Sequence, residues 1–174
     1  YGTKDIEFVM GFDIDVRKVN KPLAEALRAA PNCSMNHVNT IHTNGDSNSS
    51  CVKSKAMVYS APELDGIAPH MHDYPDEVTF VNGAIPAESF DRTVELIKYH
   101  DVDVLINYLP VGSEDATKYW IDVAIKAGVN FVNCIPTLIS TDDAMETEQR
   151  FIDAGLTIVG SDMRSAWGAS RMSE

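Results

Sequence analysis

Five short stretches carry residue types whose spacing could do chemistry. Asp13 and Asp15 close an apolar run. An acid at the end of a parallel strand can accept hydrogen bonds from the ribose hydroxyls of a dinucleotide. The same pair also suits a solvated loop whose acid caps its own turn. Asn107-Tyr108-Leu109-Pro110-Val111-Gly112-Ser113 combines a strand end, a tight Pro/Gly turn and a helix start. Free N–H groups at such a start suit a phosphate or a cofactor edge, and an ordinary strand-to-helix connection has the same pattern. Asn133-Cys134-Ile135-Pro136 closes the next strand. No His stands near Cys134 in sequence to activate it, so it reads as a packed thiol, not a nucleophile. Gly160-Ser161-Asp162-Met163-Arg164-Ser165 sets a carboxylate beside a cation, as a site or a structural salt bridge would. His70-x-His72-Asp73 offers two imidazoles on one segment, but the third and fourth ligands are unspecified, so no metal is expected. His37 and His42 add nothing firm to it.

These residues need elements to hold them. Residues 6–13 (I-E-F-V-M-G-F-D) read as a buried strand. Pro22 then opens a helix at a tolerated first position. Residues 31–55 are dominated by Asn, Ser, Thr, His and Gly and read as a long polar loop. Residues 56–59 suit a short strand, and 61–75 read as irregular. From residue 86 the order is regular. Residues 88–100 form an amphipathic helix with Phe90, Val94 and Ile97 at helical spacing, and 102–109 form a strand. Ser113 reads as the N-cap of a helix to Ala127, with Glu114 and Asp115 in its first turn and Gly128 as its stop. Residues 129–135 form a strand. Ser140 or Thr141 caps a helix through Ala154, Gly155 ends it, and 156–159 form a last strand. Helices alternating with strands over short loops imply right-handed crossovers and a parallel sheet. Ligands of such sheets sit beyond the carboxyl ends of the strands, where the stretches above fall.

Composition narrows the function classes. The 174 residues suffice for one domain with a real core. Lys plus Arg number 14 and Asp plus Glu 26, a formal net charge of −12. That balance argues against a nucleic-acid grip and against a polybasic membrane site. No apolar run approaches the roughly 20 residues of a membrane span. The three cysteines, Cys33, Cys51 and Cys134, show no C-x-x-C pair and read as reduced thiols of a cytoplasmic protein. No signal-peptide pattern follows Tyr1, so the sequons at Asn32 and Asn48 read as chance matches.

Several longer strings together resemble the myo-inositol-1-phosphate synthase (inositol-3-phosphate synthase) family, in its bacterial and archaeal form. They are Asp5-Ile6-Glu7-Phe8-Val9 running into Gly11-Phe12-Asp13-Ile14-Asp15-x-Arg17-Lys18-Val19, and Leu64-Asp65-Gly66-x-Ala68-Pro69-His70. Residues 103–114 (D-V-L-I-N-Y-L-P-V-G-S-E) and 128–136 (G-V-N-F-V-N-C-I-P) complete the match. The resemblance implies an α/β fold with a Rossmann-type doubly wound parallel sheet. Residues 1–174 would form part of its NAD-binding domain, with the polar stretch 31–55 as an insertion. The sheet would be incomplete, lacking its first strand and Gly-rich loop, which are expected before Tyr1. A second domain that builds the catalytic floor and a homotetramer is expected after about residue 165. The chain would therefore be an internal fragment or a degenerate copy, inactive by itself and a poor binder of NAD.

The resemblance also implies the reaction. Glucose 6-phosphate is cyclised to 1D-myo-inositol 3-phosphate in inositol and phospholipid biosynthesis. NAD oxidises C5, an aldol-like closure follows, and the stored hydride reduces the ring ketone, so net redox is zero. A divalent or monovalent cation is compatible with this chemistry. Carried over residue by residue, Asp13 and Asp15 take the ribose end. Asn107, Leu109, Pro110, Val111, Gly112 and Ser113 line the NAD groove, and Cys134 and Pro136 the next strand end. Asp162 falls on the second acid of the family's Gly-Asp-Asp-x-Lys-Ser string, and Ser165 on its serine. Ser161 replaces the first acid and Arg164 the lysine. Arg keeps the charge but cannot release a proton near neutral pH, so Arg164 could stabilise an oxyanion or bind phosphate without carrying a proton. Two other classes stay open: a non-catalytic nucleotide- or sugar-phosphate-binding relative, and an NAD-dependent dehydrogenase with net hydride transfer.

Overall fold

A computed structural model describes residues 2, 5–32, 52–83, 85–137, 139 and 142–160. They form an α/β structure with parallel strands, in two compact units. The first unit takes in Tyr1–Glu63 and Pro69–Ser89, and the second Leu64–Ala68 and Phe90–Glu174.

In the first unit, β1 (Phe8–Asp13) pairs in parallel with β2 (Val52–Ser60). Met10, Gly11, Phe12 and Asp13 face Met57, Val58, Tyr59 and Ser60 in register, with an irregularity between Phe8 and Met10. Strand β2 begins earlier than the composition of 31–55 suggests. Its Lys-Ser-Lys stretch reads as polar loop, and it lies where the register with β1 slips, between the Phe8–Val52 and Met10–Met57 pairs. A single helical turn, α1 (Leu23–Ala26), follows β1, with Pro22 just outside it. Ala24 packs on Ala56, with Leu23 against them. Gly11 makes that approach feasible, because an added Cβ would lie 3.1 Å from Leu23 Cδ1. Pro69–Asp73 is a short 3₁₀ turn.

In the second unit the strand order is β3 (Val104–Asn107), β4 (Asn130–Asn133), β5 (Ile158–Val159), all parallel. The helices are α2 (Phe90–Tyr99), α3 (Glu114–Ala127) and α4 (Asp142–Asp153). Helix α3 packs on β3 and β4 and against α2. Its buried face comprises Ala116, Thr117, Trp120, Ile121, Val123 and Ala124, the period-3.6 stripe of a core-facing helix. Phe131 of β4 and Phe151 of α4 are also fully buried. Gly128 ends α3 at φ +81°, returning its N–H to Ala124 O at 2.9 Å.

Each strand here is shorter than its apolar run because flanking residues serve the neighbouring turns. Val102 donates back to Ile97 O, Val129 to Ala124 O and Leu156 to Phe151 O, each closing the preceding helix. The caps expected at Ser140 and Thr141 lie outside the described residues, as do Cys33, Cys51, His37 and His42. Among the described residues no helix is long and apolar enough to cross a membrane.

Arg150 Nη2 of α4 reaches Asp122 Oδ1 of α3 at 2.6 Å, with side chains 42% and 50% exposed. Water screens such a pair on both sides. Asp122→Ala should therefore shift the urea unfolding free energy by less than about 0.5 kcal/mol.

Candidate functional site

The last residue pair of β3 and β4 is Asn107 opposite Asn133, and both are buried. Asn107 Nδ2 donates to Asn133 Oδ1 at 3.0 Å and to Thr117 Oγ1 at 3.1 Å. Its Oδ1 accepts from Leu109 N at 3.1 Å, which turns the chain out of β3. Asn133 Nδ2 donates to Ile135 O at 3.0 Å and Thr137 O at 3.1 Å, which curls the chain out of β4. Thr117 Oγ1 passes its own proton to Ser113 O at 2.6 Å. Every amide hydrogen of the two asparagines is thus spent inside the protein. Asn107, expected to line a cofactor groove, is instead buried and fixes the two strand-end turns. Asn133 shares that role. Thr117 is not singled out by sequence, and Asn133 is read only as part of a strand-end stretch, because partners 10 and 26 residues from Asn107 leave no local pattern.

In front of this layer lie Tyr108 and Val111, 77% and 75% exposed, with Pro110 and Gly112 also exposed and Leu109 half-buried. Cys134 is exposed in the structure, which corrects its reading as a packed thiol. It begins the turn after β4, with its N–H on Asn107 O at 3.0 Å. A hydrogen bond with the Cys134 thiol, then its charge and burial, pushes the Tyr108 phenol above its ordinary value. Pro136 is half-buried beside Ile135.

The start of α3 departs from the expected geometry. Ser113 is fully buried, and its hydroxyl donates to Pro110 O at 2.7 Å, so it does not cap the helix. The cap comes from Asp65, fifty residues away. Its Oδ2 accepts from Asp115 N at 2.7 Å and its Oδ1 from Ala116 N at 2.8 Å. Glu114 N meets Gly112 O at 3.0 Å. Burial would raise the Asp65 carboxyl, but the amides of Ala116, Asp115 and Glu114 outweigh it and hold it below the usual carboxylate range. The helix end expected to offer free N–H groups to a phosphate is therefore filled by an anion of the protein itself. Gly66 lies against the same turn at φ +86°, where a Cβ would collide with Ser113 Oγ.

Gly160 follows β5 at φ +101°, and a Cβ there would collide with the Asn133 carbonyl oxygen. It closes the sheet edge from the β5 side. Asp162, Arg164 and Ser165, with Ser161, lie outside the described residues.

In the first unit, Asp13 stands at the carboxyl end of β1. Its Oδ1 accepts from Asp15 N at 2.8 Å, and its Oδ2 pairs with Lys18 Nζ at 3.1 Å. It therefore caps its own turn, with 31% of its side chain exposed. Asp15, expected beside it at the cofactor, is corrected to a structural residue, because it is fully buried. Its Oδ1 accepts from Arg17 N and Nε, both at 2.9 Å. Its Oδ2 accepts from Arg17 Nη2 at 2.5 Å and Val81 N at 3.2 Å. No acceptor position is left for a ligand. Burial pushes the Asp15 carboxyl up, but these bonds, Arg17 first, overcome that and hold it below the usual range.

His70 and His72 sit exposed on the 3₁₀ turn, with the His70 ring edge-on to Tyr74 at 6.0 Å. Among the described residues no group of three or more His, Cys, Asp or Glu is placed to hold a metal ion.

No family model matches the chain. Curated relatives do. An inositol-3-phosphate synthase of Corynebacterium glutamicum is 39% identical over 170 residues, 98% of this chain and 41% of the relative. Those of Mycolicibacterium smegmatis and Mycobacterium tuberculosis are 38% and 37% identical over the same shares. Among solved structures, the crystal structure of Ari2 matches with TM-score 0.64 and 28% identity, over 93% of this chain and 39% of that one. The resemblance to the inositol-3-phosphate synthases thus runs along nearly the whole chain, which spans 41% of the length of those relatives.

Proposed function

We propose that this chain is the nicotinamide-dinucleotide-binding part of an inositol-3-phosphate synthase, which cyclises glucose 6-phosphate to inositol 3-phosphate. The observation that carries the reading is the match over 170 residues to enzymes of that name. The described residues bear unevenly on the cofactor. Asp13 keeps an exposed carboxylate edge that suits ribose hydroxyls. In the second unit, the turn of Leu109, Pro110, Val111 and Gly112 offers an apolar ledge, and an added Cβ at Gly112 would meet nothing within 4 Å. Within its own unit, the carboxylate suits a ribose and the ledge suits an apolar ring edge. The filled end of α3 does not suit its pyrophosphate, which we assign to residues outside those described. When bound, the cofactor supplies reversible hydride transfer. The chain's own residues bind and orient it. Cys134 and Pro136 would border the ledge, and Asp162, Arg164 and Ser165 would supply charge and hydroxyl beyond β5 on the strength of sequence alone.

The test is turnover by the full-length protein. Glucose 6-phosphate should give inositol monophosphate only when NAD is present, with no NADH accumulating. NADH rising in step with product would mean a net dehydrogenase. NAD binding without product would favour a non-catalytic relative, a reading that the replacement of the family's lysine by Arg164 also motivates.

A further inference from the structure

We infer that Asp65 is a positioning residue for the 108–113 turn, and that with Gly66 it pre-sets the surface offered to the cofactor. The inference rests on the proposed function for what the turn meets, and on geometry for the rest.

A helix that begins with Ser needs no distant cap, because a Ser hydroxyl can reach the amides of its first turn. Here the Ser113 hydroxyl is turned back to Pro110 O, and the capping oxygens are delivered from another segment. The carboxylate spans two consecutive amides, Asp115 and Ala116, which fixes it in direction as well as distance. Next to it, Gly66 brings backbone against Ser113. An added Cβ would lie 3.0 Å from Ser113 Cβ and 3.2 Å from its Cα, as well as striking the hydroxyl. Residues 65 and 66 therefore grip residue 113 and the two amides beyond it from one side. Thr117 holds the Ser113 carbonyl from the other.

The turn is thus a short span between two anchors. At one end Leu109 N is held by Asn107 Oδ1, and at the other Ser113 is held by the grip just described. Between them Pro110, Val111 and Gly112 stand exposed. A span fixed at both ends needs little ordering when a ligand arrives, and freeing one end would charge that ordering against binding. Asp65 touches no ligand in this account. It acts through the turn.

The test uses the full-length protein with NAD as the probe. Asp65→Asn keeps the shape but removes the charge and one acceptor. Amide exchange at 114–117 should speed up about tenfold, while α2 stays protected. The Kd and KM for NAD should rise about five- to tenfold, with kcat within about twofold. Asp65→Glu keeps the charge and both acceptor oxygens on a longer stem and should fall between wild type and Asn. It also supplies the measurement if the Asn protein does not fold. Faster exchange at 114–117 with Kd and KM unmoved would overturn the inference and leave Asp65 a helix cap only. A wild type that binds no NAD would instead overturn the functional reading, and the cofactor role of the turn with it.

Discussion

Asp15→Ala is expected to destabilise the unit formed by β1 and β2 by about 3 kcal/mol, read as a lower urea midpoint with unchanged slope. The Asp15 carboxylate is fully buried and answers four donors, three of them from Arg17. The Arg17 guanidinium also donates to the carbonyls of Asp76 at 2.5 Å and Thr79 at 2.6 Å. Removing the carboxylate leaves the Val81 amide unpaired and the Arg17 cation without its counter-ion, so the 76–81 segment is held to the turn after β1 only by Arg17 on its carbonyls and by Val16 N on Val81 O at 2.8 Å. Arg17 remains 24% exposed, and the water it keeps places the cost at the low end of the range for a broken buried pair. The sign with pH follows from the lowered Asp15 carboxyl. The group favours the folded state when ionised, so its contribution is present above the unfolded value near 3.8 and is lost as pH falls through the lower folded value. Asp15→Asn should accordingly flatten the acid limb of the stability curve. Arg17→Ala combined with Asp15→Ala should cost less than the sum of the two, because the second change removes the stranded partner.

That latch also shows where sequence reading stops. Asp13 and Asp15 share one stretch and one residue type, and both were expected at a ligand. What separates them is Arg17 folding back on Asp15 with Val81 arriving from 66 residues away, which no local pattern encodes. Period and punctuation were enough for α3 and its stop at Gly128, since both signals lie within one helix. They were enough for the parallel α/β class, since it follows from the order of elements. They overran every strand of the second unit by two to four residues, because apolar residues at strand ends serve helix closures and turns. The candidate site divides along the same line. The 108–113 turn is legible from its Pro and Gly. The Asp65 cap, the paired asparagines and the role of Gly160 are not, because each depends on a contact 26 or more residues distant.

Gly160→Ala should be the most damaging single methyl in the second unit, costing about 3 kcal/mol or more. Two effects add. At φ +101° an L side chain is strained wherever it points. The new Cβ would also strike the Asn133 carbonyl and lie 2.8 Å from its carbon and 3.1 Å from its nitrogen, and backbone cannot swing away as a side chain can. Gly128→Ala separates the two effects. Its φ is +81°, but a Cβ there meets nothing within 4 Å, so it should cost only the strain, about 1 kcal/mol. The difference between their urea midpoints measures the collision, and equal costs would mean that β5 does not press on Asn133. The consequence reaches the site. Asn133 is the residue through which Asn107 and the 134–137 turn are joined, so pushing its backbone aside loosens Cys134 on one flank and Leu109 on the other. On the proposed function, Gly160→Ala should therefore weaken NAD binding by the full-length protein at temperatures where it is still folded. Gly128→Ala, at the far end of α3, should not.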